Sequence, residues 1–227
     1  MANLREEKKL WRKGFKKMVC LDEAGRGALC GPVVAAAVMI RCKMQDEKCK
    51  IAHCSHTAIQ NLKLLKEIKD SKKLTPKKRN EFYKILTKHT AIKWGIGKVS
   101  ERVIDKINVK NAAELAMWRA VQKLKYRPDF LIIDGKYLKN YKLKTLNHKL
   151  IVKADEKVFS CSAASIIAKV IRDRIMRRYH KKYPKYGFDK HKGYPTKLHL
   201  AKLKKYGSCK IHRRSFRPVA EIKKSKC

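Results

Sequence analysis

Apolar residues in this chain fall either in short unbroken runs of strand length or at positions recurring every three or four residues. Met18 to Leu21 and Val33 to Ile40 are two such runs, and Gly25, Gly27 and Gly31 break the chain between them in a hairpin-like layout. Ala91 to Val99 alternates as a strand does, and Pro128 to Ile133 and Leu150 to Val152 supply two more short strands. Helical spacing appears over Pro76 to about Lys88, where Thr75 is a good N-cap, Pro76 suits the first helical position, and Phe82, Ile85 and Leu86 form a face. It returns over Asn108 to Leu124, through Ala112, Leu115, Ala116 and Trp118. The longest pattern runs from about Ser160 to Lys182 through Ala163, Ile166, Ile167, Val170, Ile171 and Ile175. Arg172, Arg174, Arg177 and Arg178 fall off that face, so this helix is expected to pack in the core and carry a basic rim. YPKYGFDKHKGYPT reads as a loop, followed by a short helix from Thr196 that Gly207 caps. Strands interspersed with helices predict an α/β domain with a mixed sheet.

The flanks read differently. Residues 1–17 read as a basic arm, either partly helical with Leu10, Trp11 and Phe15 docked on the domain or disordered, and residues 220–227 are a basic tail. Residues 41–69 read as a lysine-rich insertion with one short helix over Ala58 to Ile68. With no fixed-period repeat and no Ser- or Pro-rich linker, residues 18–219 are expected to form one domain.

Charge changes the picture most. Fifty-nine Lys and Arg face 19 Asp and Glu, a formal net charge of +40, and such an excess attracts a polyanion. Nucleic acid is the favoured one, because lysines can replace the counterions condensed on a phosphate backbone, and binding is then expected to weaken with salt. A membrane partner is not expected. The longest wholly apolar run, Val33 to Ile40, is far shorter than the roughly 20 residues a spanning helix needs. The charged N-terminus has no apolar signal core, which predicts a cytoplasmic protein. The eight cysteines are then expected to be reduced thiols. Cys20, Cys30 and Cys161 lie in apolar stretches and pack as small hydrophobes. Cys42, Cys49, His53, Cys54 and His56 crowd into one polar segment with the side chains to bind zinc, but their spacing matches no standard finger and reads more simply as an exposed insertion.

Against this background the acids stand out. Asp22-Glu23, Asp134 and Asp155 all follow predicted strands. Adjacent carboxylates beside buried runs repel one another and resist desolvation, so a divalent cation is the natural remedy. Taken singly, Asp134 and Asp155 are compatible with ordinary solvated strand ends. Converging at one sheet edge in a basic protein, the set points to metal-assisted phosphoryl transfer. Consecutive residues on an ideal strand face opposite ways, so Asp22 and Glu23 share one site only if the chain twists or turns between them. A non-catalytic nucleic-acid-binding protein would account for the charge, but not for acids at three strand ends in a chain so poor in them.

The segments DEAGRG with GPVVAAAV, DSKKL, IIDG, KAD with SAASIIAKVIRD, YPKYGF with HKGY, and IHRRSF run in an order that resembles the type 2 ribonucleases H, the ribonuclease HII family, from about Met18 to Val219. The related type 3 enzymes carry a sizeable extra N-terminal domain, for which the stretch before Met18 leaves no room. The resemblance implies a ribonuclease H-like fold, with a central mixed β-sheet flanked by helices and a helical C-terminal part. It implies a monomeric endoribonuclease that acts on RNA-DNA hybrids and on duplex DNA containing single ribonucleotides, cutting 5′ of the ribonucleotide in the course of its removal from DNA. By the same resemblance, Asp22, Glu23, Asp134 and Asp155 are the catalytic acids and hold two Mg²⁺ or Mn²⁺ ions. Gly25, Arg26 and Gly27 contact the ribonucleotide, Lys72 a phosphate, and Tyr194 stacks at the RNA-DNA junction. Two positions depart from the pattern: Ala28 replaces a common proline, and Pro195 replaces a common glycine and restricts Tyr194 toward extended backbone.

Overall fold

The computed structural model describes residues 2–40 and 74–222. The insertion helix, the Cys/His segment and Lys72 therefore lie outside the described residues. Five strands form one mixed sheet in the order β3-β2-β1-β4-β5. They are β1 (Met18–Ala24), β2 (Val33–Ile40), β3 (Ile92–Val99), β4 (Phe130–Asp134) and β5 (His148–Ile151). β1, β2 and β3 pair antiparallel, whereas β1 with β4 and β4 with β5 run parallel. The unbroken apolar runs are explained by their place: β1 and β2 are central, and every residue of β2 is buried. Such strands are covered on both faces and need not alternate in polarity.

One face of the sheet is covered by α4 (Val109–Gln122), which places Ala112, Ala116 and Ala120 against Val19, Leu21 and Ala35. The approach is close. A Cβ on Gly97 of β3 would lie 1.8 Å from the carbonyl oxygen of Ala116, so the helix can sit on the strand only where side chains are absent. The helix just before it, α3 (Glu101–Ile107), was not expected from the sequence. Asn108 lies between the two with φ +62°, and its side chain accepts from the amides of Lys110 and Asn111 to cap α4. α2 (Pro76–Lys88) begins as expected, with the Thr75 hydroxyl accepting from the Lys78 amide.

The opposite face carries α7 (Phe159–Lys182), which packs Ala163, Ile166, Ile167 and Val170 on Met18, Cys20, Ala36 and Val38. The basic rim expected of this helix needs correction at Arg172, which is fully buried. The N-cap residue of α7, Val158, offers no side-chain acceptor. The N-terminal arm supplies two instead. The Asn3 carbonyl accepts from the Phe159 amide, and the Glu7 carboxylate accepts from both the amide and the hydroxyl of Ser160, at 2.9 Å each. These amides are first-turn donors that a helix cannot satisfy itself. The arm forms α1 (Arg5–Arg12) and buries Glu7, Leu10 and Trp11 on one face, while Phe15 packs on Phe130 with ring centroids 4.7 Å apart.

Two further expectations are refined. The strand expected over Leu150 to Val152 is β5, which runs from His148 to Ile151, and Asp155 follows its end within the helical turn α6 (Ala154–Lys157). The stretch read as a loop around residue 186 contains a 3-10 turn, Pro184–Tyr186, and the helical turn α8 (Phe188–His191), ahead of α9 (Lys197–Tyr206). α5 (Tyr141–Lys144) connects β4 to β5.

Candidate active site

Three carboxylates converge at one end of the sheet. Oxygens of Asp22, Asp134 and Asp155 all lie within 4.8 Å of one another. Each arrives from a different element: Asp22 from β1, Asp134 from the last position of β4, and Asp155 from α6. Asp134 Oδ1 accepts from the Ala154 amide at 3.2 Å, which ties the end of β4 to the turn that carries Asp155. Ser165 on α7 hydrogen-bonds Asp22, lowering its pKa. Burial nevertheless pushes the Asp22 carboxyl well above its ordinary range, and the neighbouring charges of Glu23, Asp134 and Asp155 push it further.

Glu23 stands apart from this trio. Strand alternation holds, and β1 does not turn between the two acids: Asp22 pairs with Ala36 and Glu23 with Ala35 in unbroken register. The Asp22 side belongs to the face under α7 and the Glu23 side to the face under α4. Glu23 is bonded instead to Arg26, with Oε1 and Nη1 3.1 Å apart, yet its charge still raises the Asp22 pKa. It flanks the cluster.

The loop after β1 is held by two buried arginines that sequence reasoning left unassigned. Arg213 donates from Nη2 to the Gly25 carbonyl at 2.7 Å, from Nη1 to that of Arg26 at 2.9 Å, and from Nε and Nη2 to that of Gly31. Arg172 donates to the carbonyls of Pro32, Cys30 and Lys192. Both are fully buried, and their charge is dispersed over carbonyl oxygens rather than matched by a carboxylate. Burial and the nearby Arg172 lower the Arg213 pKa to about 10, so it stays charged at neutral pH. Gly25 has φ +98°, and a Cβ there would meet Arg172 Nε at 2.0 Å, so the turn and the close approach both require glycine. A Cβ on Gly27 would meet nothing within 4 Å, and the Arg26 side chain is half-exposed, which leaves this stretch open to a ligand.

Tyr194 lies beside the same loop. Its half-buried ring has Lys169 Nζ 4.9 Å and the Arg172 guanidinium carbon 5.1 Å from its centroid. The Gly193 carbonyl accepts from the Leu29 amide at 2.8 Å, so the HKGY turn and the glycine loop are one assembly. Pro195 is accommodated. The Tyr194 carbonyl accepts from the Thr196 amide at 2.8 Å, which places Pro195 at the centre of a three-residue turn, where its fixed φ suits the conformation required.

The clues to the two arginines were in the sequence. Arg172 lies in SIIAKVIRD on the buried stripe with Ser165, Ala168 and Met176, and Arg213 lies in IHRRSF. In a chain with 59 cationic side chains, nothing in composition separates these from the solvated rest.

The ribonuclease HII family model matches residues 19–219. The chain belongs to the ribonuclease HII family. Ribonuclease HII of Chlamydia caviae is 42% identical over 216 residues, covering 95% of this chain and 91% of that protein. That of Caldicellulosiruptor bescii is 43% identical over 212 residues, covering 92% and 91%. The crystal structure of ribonuclease H2 from Pyrococcus horikoshii superimposes with a TM-score of 0.68 at 26% identity, covering 90% of this chain and 96% of that one. As a ribonuclease HII, the chain is a nuclease of ribonuclease H type, with RNA-DNA hybrids as its substrate class and divalent metal as its requirement. The residues present fit such an ion. Three carboxylates within 4.8 Å offer a hard, all-oxygen donor set of the kind that takes Mg²⁺ or Mn²⁺, and the Asp22 pKa, raised first by burial and then by the like charges around it, marks a place where a cation would relieve both costs. Among the described residues no helix is long and apolar enough to cross a membrane.

Proposed function

We propose that this ribonuclease HII hydrolyses the RNA strand of RNA-DNA hybrids and also cuts on the 5′ side of single ribonucleotides embedded in duplex DNA, leaving 5′-phosphate and 3′-hydroxyl ends. The observation that carries this reading is the carboxylate cluster of Asp22, Asp134 and Asp155, in which Asp22 stands near the end of β1 just ahead of a backbone loop clamped by Arg172 and Arg213. Asp22, Asp134 and Asp155 would hold Mg²⁺ or Mn²⁺, with Glu23 at the margin of the cluster as the fourth acid. The chemistry that two such ions would supply there is activation of a water for in-line attack and stabilisation of the leaving 3′ oxygen.

The rest falls to the chain itself. Arg213 and Arg172 occupy the carbonyls of Gly25, Arg26, Cys30, Gly31 and Pro32, and the amides of Ala28, Leu29 and Gly31 donate to the carbonyls of Gly25, Gly193 and Ile211, so the amides of Arg26 and Gly27 are the ones that would face a ribose. A bare backbone can approach a 2′-hydroxyl closely enough to hydrogen-bond it, and that hydroxyl is what distinguishes RNA from DNA. The half-exposed Arg26 guanidinium can fork onto a phosphate while Glu23 aims it. Tyr194, beside Lys169 and Arg172, supplies a flat surface for the sugar next to the ribonucleotide. Lys72 remains a proposed phosphate contact on the resemblance alone.

The test is cleavage of a duplex with one ribonucleotide in an otherwise DNA strand, with Mg²⁺ or Mn²⁺, by the intact protein and by Asp134→Asn. A metal-dependent cut 5′ of the ribonucleotide, lost in the variant, is expected. Folded protein that binds this duplex but cuts it with neither metal would overturn the reading.

A further inference from the structure

Behind Tyr194 lies a group of buried imidazoles that the reaction does not use. His199, on α9, has Nδ1 3.0 Å from the Tyr194 carbonyl oxygen and Nε2 3.2 Å from Nε2 of His212. His212 Nδ1 in turn lies 3.0 Å from the Cys209 amide nitrogen. Both rings are buried, and His191 stacks on His199 with centroids 4.2 Å apart.

One backbone group decides every proton in this chain of contacts. An amide N–H can only donate, so His212 Nδ1 is an acceptor and, in a neutral ring, the proton sits on Nε2. His212 Nε2–H then donates to His199 Nε2, which must be bare. The remaining His199 proton is therefore on Nδ1, where it donates to the Tyr194 carbonyl. Neutrality is consistent with the surroundings, since burial lowers the pKa of His199 to about 4 and that of His212 to about 3. The Cys209 thiol, 3.1 Å from His212 Nδ1, can only reinforce this acceptor role as a weak donor.

The same atoms suggest a rival. Cys30 Sγ and one nitrogen each of His199 and His212 lie within 4.8 Å of one another, a spacing compatible with a metal. A ligating nitrogen must be free of its proton, and the Cys209 amide forces that proton onto His212 Nε2. The hydrogen-bonded arrangement satisfies each group without a metal.

We propose that His199 and His212 are positioning residues for Tyr194, a neutral hydrogen-bond relay running from the Cys209 amide to the Tyr194 carbonyl that fixes the turn from which the tyrosine ring meets the RNA-DNA junction. This rests on the junction-sensing reading of Tyr194. Pro195 and the Thr196 amide hold one side of the turn, and the relay holds the other. Its anchor, His212, is bridged to Cys30 in the glycine loop, so the element that reads the 2′-hydroxyl and the element that reads the junction are set from one frame.

Two measurements test it. Imidazole nitrogen NMR of the wild-type protein should show His199 protonated on Nδ1 and His212 on Nε2; the opposite tautomers would overturn the relay. Cleavage of a duplex with one embedded ribonucleotide is then compared with cleavage of a long RNA-DNA hybrid. His199→Leu, which removes the donor and keeps apolar bulk, should lower kcat/KM on the embedded substrate about tenfold or more relative to the hybrid. His199→Asn, whose amide can place an N–H near the site of Nδ1, should recover most of that ratio, and Tyr194→Ala should abolish the effect of His199→Leu in the double variant. Equal losses on both substrates in step with melting temperature would reduce the histidines to structural groups. Zinc retained stoichiometrically by wild type and lost in His199→Asn would make the cluster a metal site. If Tyr194→Ala leaves the ratio unchanged, the junction reading itself falls; if it shifts the ratio and His199→Leu does not, only the relay falls.

Discussion

Glu7 offers the sharpest test of how the N-terminal arm is fixed. Its carboxylate is wholly buried; Oε1 takes both hydrogen bonds from Ser160, while Oε2 has no hydrogen-bond partner among the described residues. Burial raises its pKa from 4.5 to about 7, against the lowering effect of the Ser160 bonds. A folded-state pKa above the unfolded one means that folding takes up a proton. The stability contributed is thus full below about pH 4.5 and is lost as pH rises through about 7. Each pH unit between the two values is worth about 1.4 kcal/mol, so the whole span is worth about 3 kcal/mol, of which about 2.5 kcal/mol falls between about pH 5 and about pH 8.5. Glu7→Gln keeps an oxygen for Ser160 and has nothing to titrate. Urea unfolding of both proteins across that range isolates the term, because all other titrating groups are shared. The variant should gain about 2.5 kcal/mol on wild type as pH rises; a difference that stays flat refutes the buried, capping Glu7.

Two glycines separated by one residue should behave in opposite ways. Gly25→Ala forces a Cβ to within 2.0 Å of Arg172 Nε at a φ of +98° and should cost about 3 kcal/mol or more in denaturant unfolding. Gly27→Ala meets nothing within 4 Å, so its melting temperature should stay within about 2 °C of wild type while kcat/KM on the embedded ribonucleotide falls about tenfold; full activity would remove Gly27 from the contact surface. Asp22→Asn relieves repulsion in the carboxylate cluster and should stabilise the metal-free protein by about 1 kcal/mol while cutting cleavage about a hundredfold or more. Mg²⁺ at a hundredfold excess over its Kd should stabilise wild type by about 2.7 kcal/mol and the variant by much less, as read by thermal unfolding; equal stabilisation would place the ion elsewhere.

The sheet was legible because burial leaves a periodic mark. Val33 to Ile40 is apolar throughout since β2 lies between two helices, and the stripe on α7 from Ala163 to Val170 follows from contact with β1 and β2. The three acids were legible for the complementary reason, as costly residues placed after apolar runs. What was hidden is polar and buried at once. Glu7 shares a helix face with Leu10 and Trp11, but among lysines it reads as wet, because local sequence does not reveal that a distant helix start lacks an acceptor. Arg172 and Arg213 read as part of the cationic surface for the same reason, since their partners are carbonyl oxygens, which every residue possesses and which leave no pattern.

That asymmetry also accounts for Glu23. Sequence neighbours and family resemblance place it with Asp22, while the pleat sends it to the other face. The site keeps the two acids linked all the same: the Glu23 amide donates to Asp22 Oδ1 at 2.7 Å, the Glu23 charge raises the Asp22 pKa, and the Glu23 carboxylate holds Arg26 at 3.1 Å. One acid thus joins the cluster to the loop that would read the ribose. A rigid strand end can set both distances at once because β1 keeps its register up to Ala24, and the glycines begin only afterwards. The glycine loop is flexible by composition, so its shape has to come from outside it, and the two buried arginines and the bridge to His212 are what supply it.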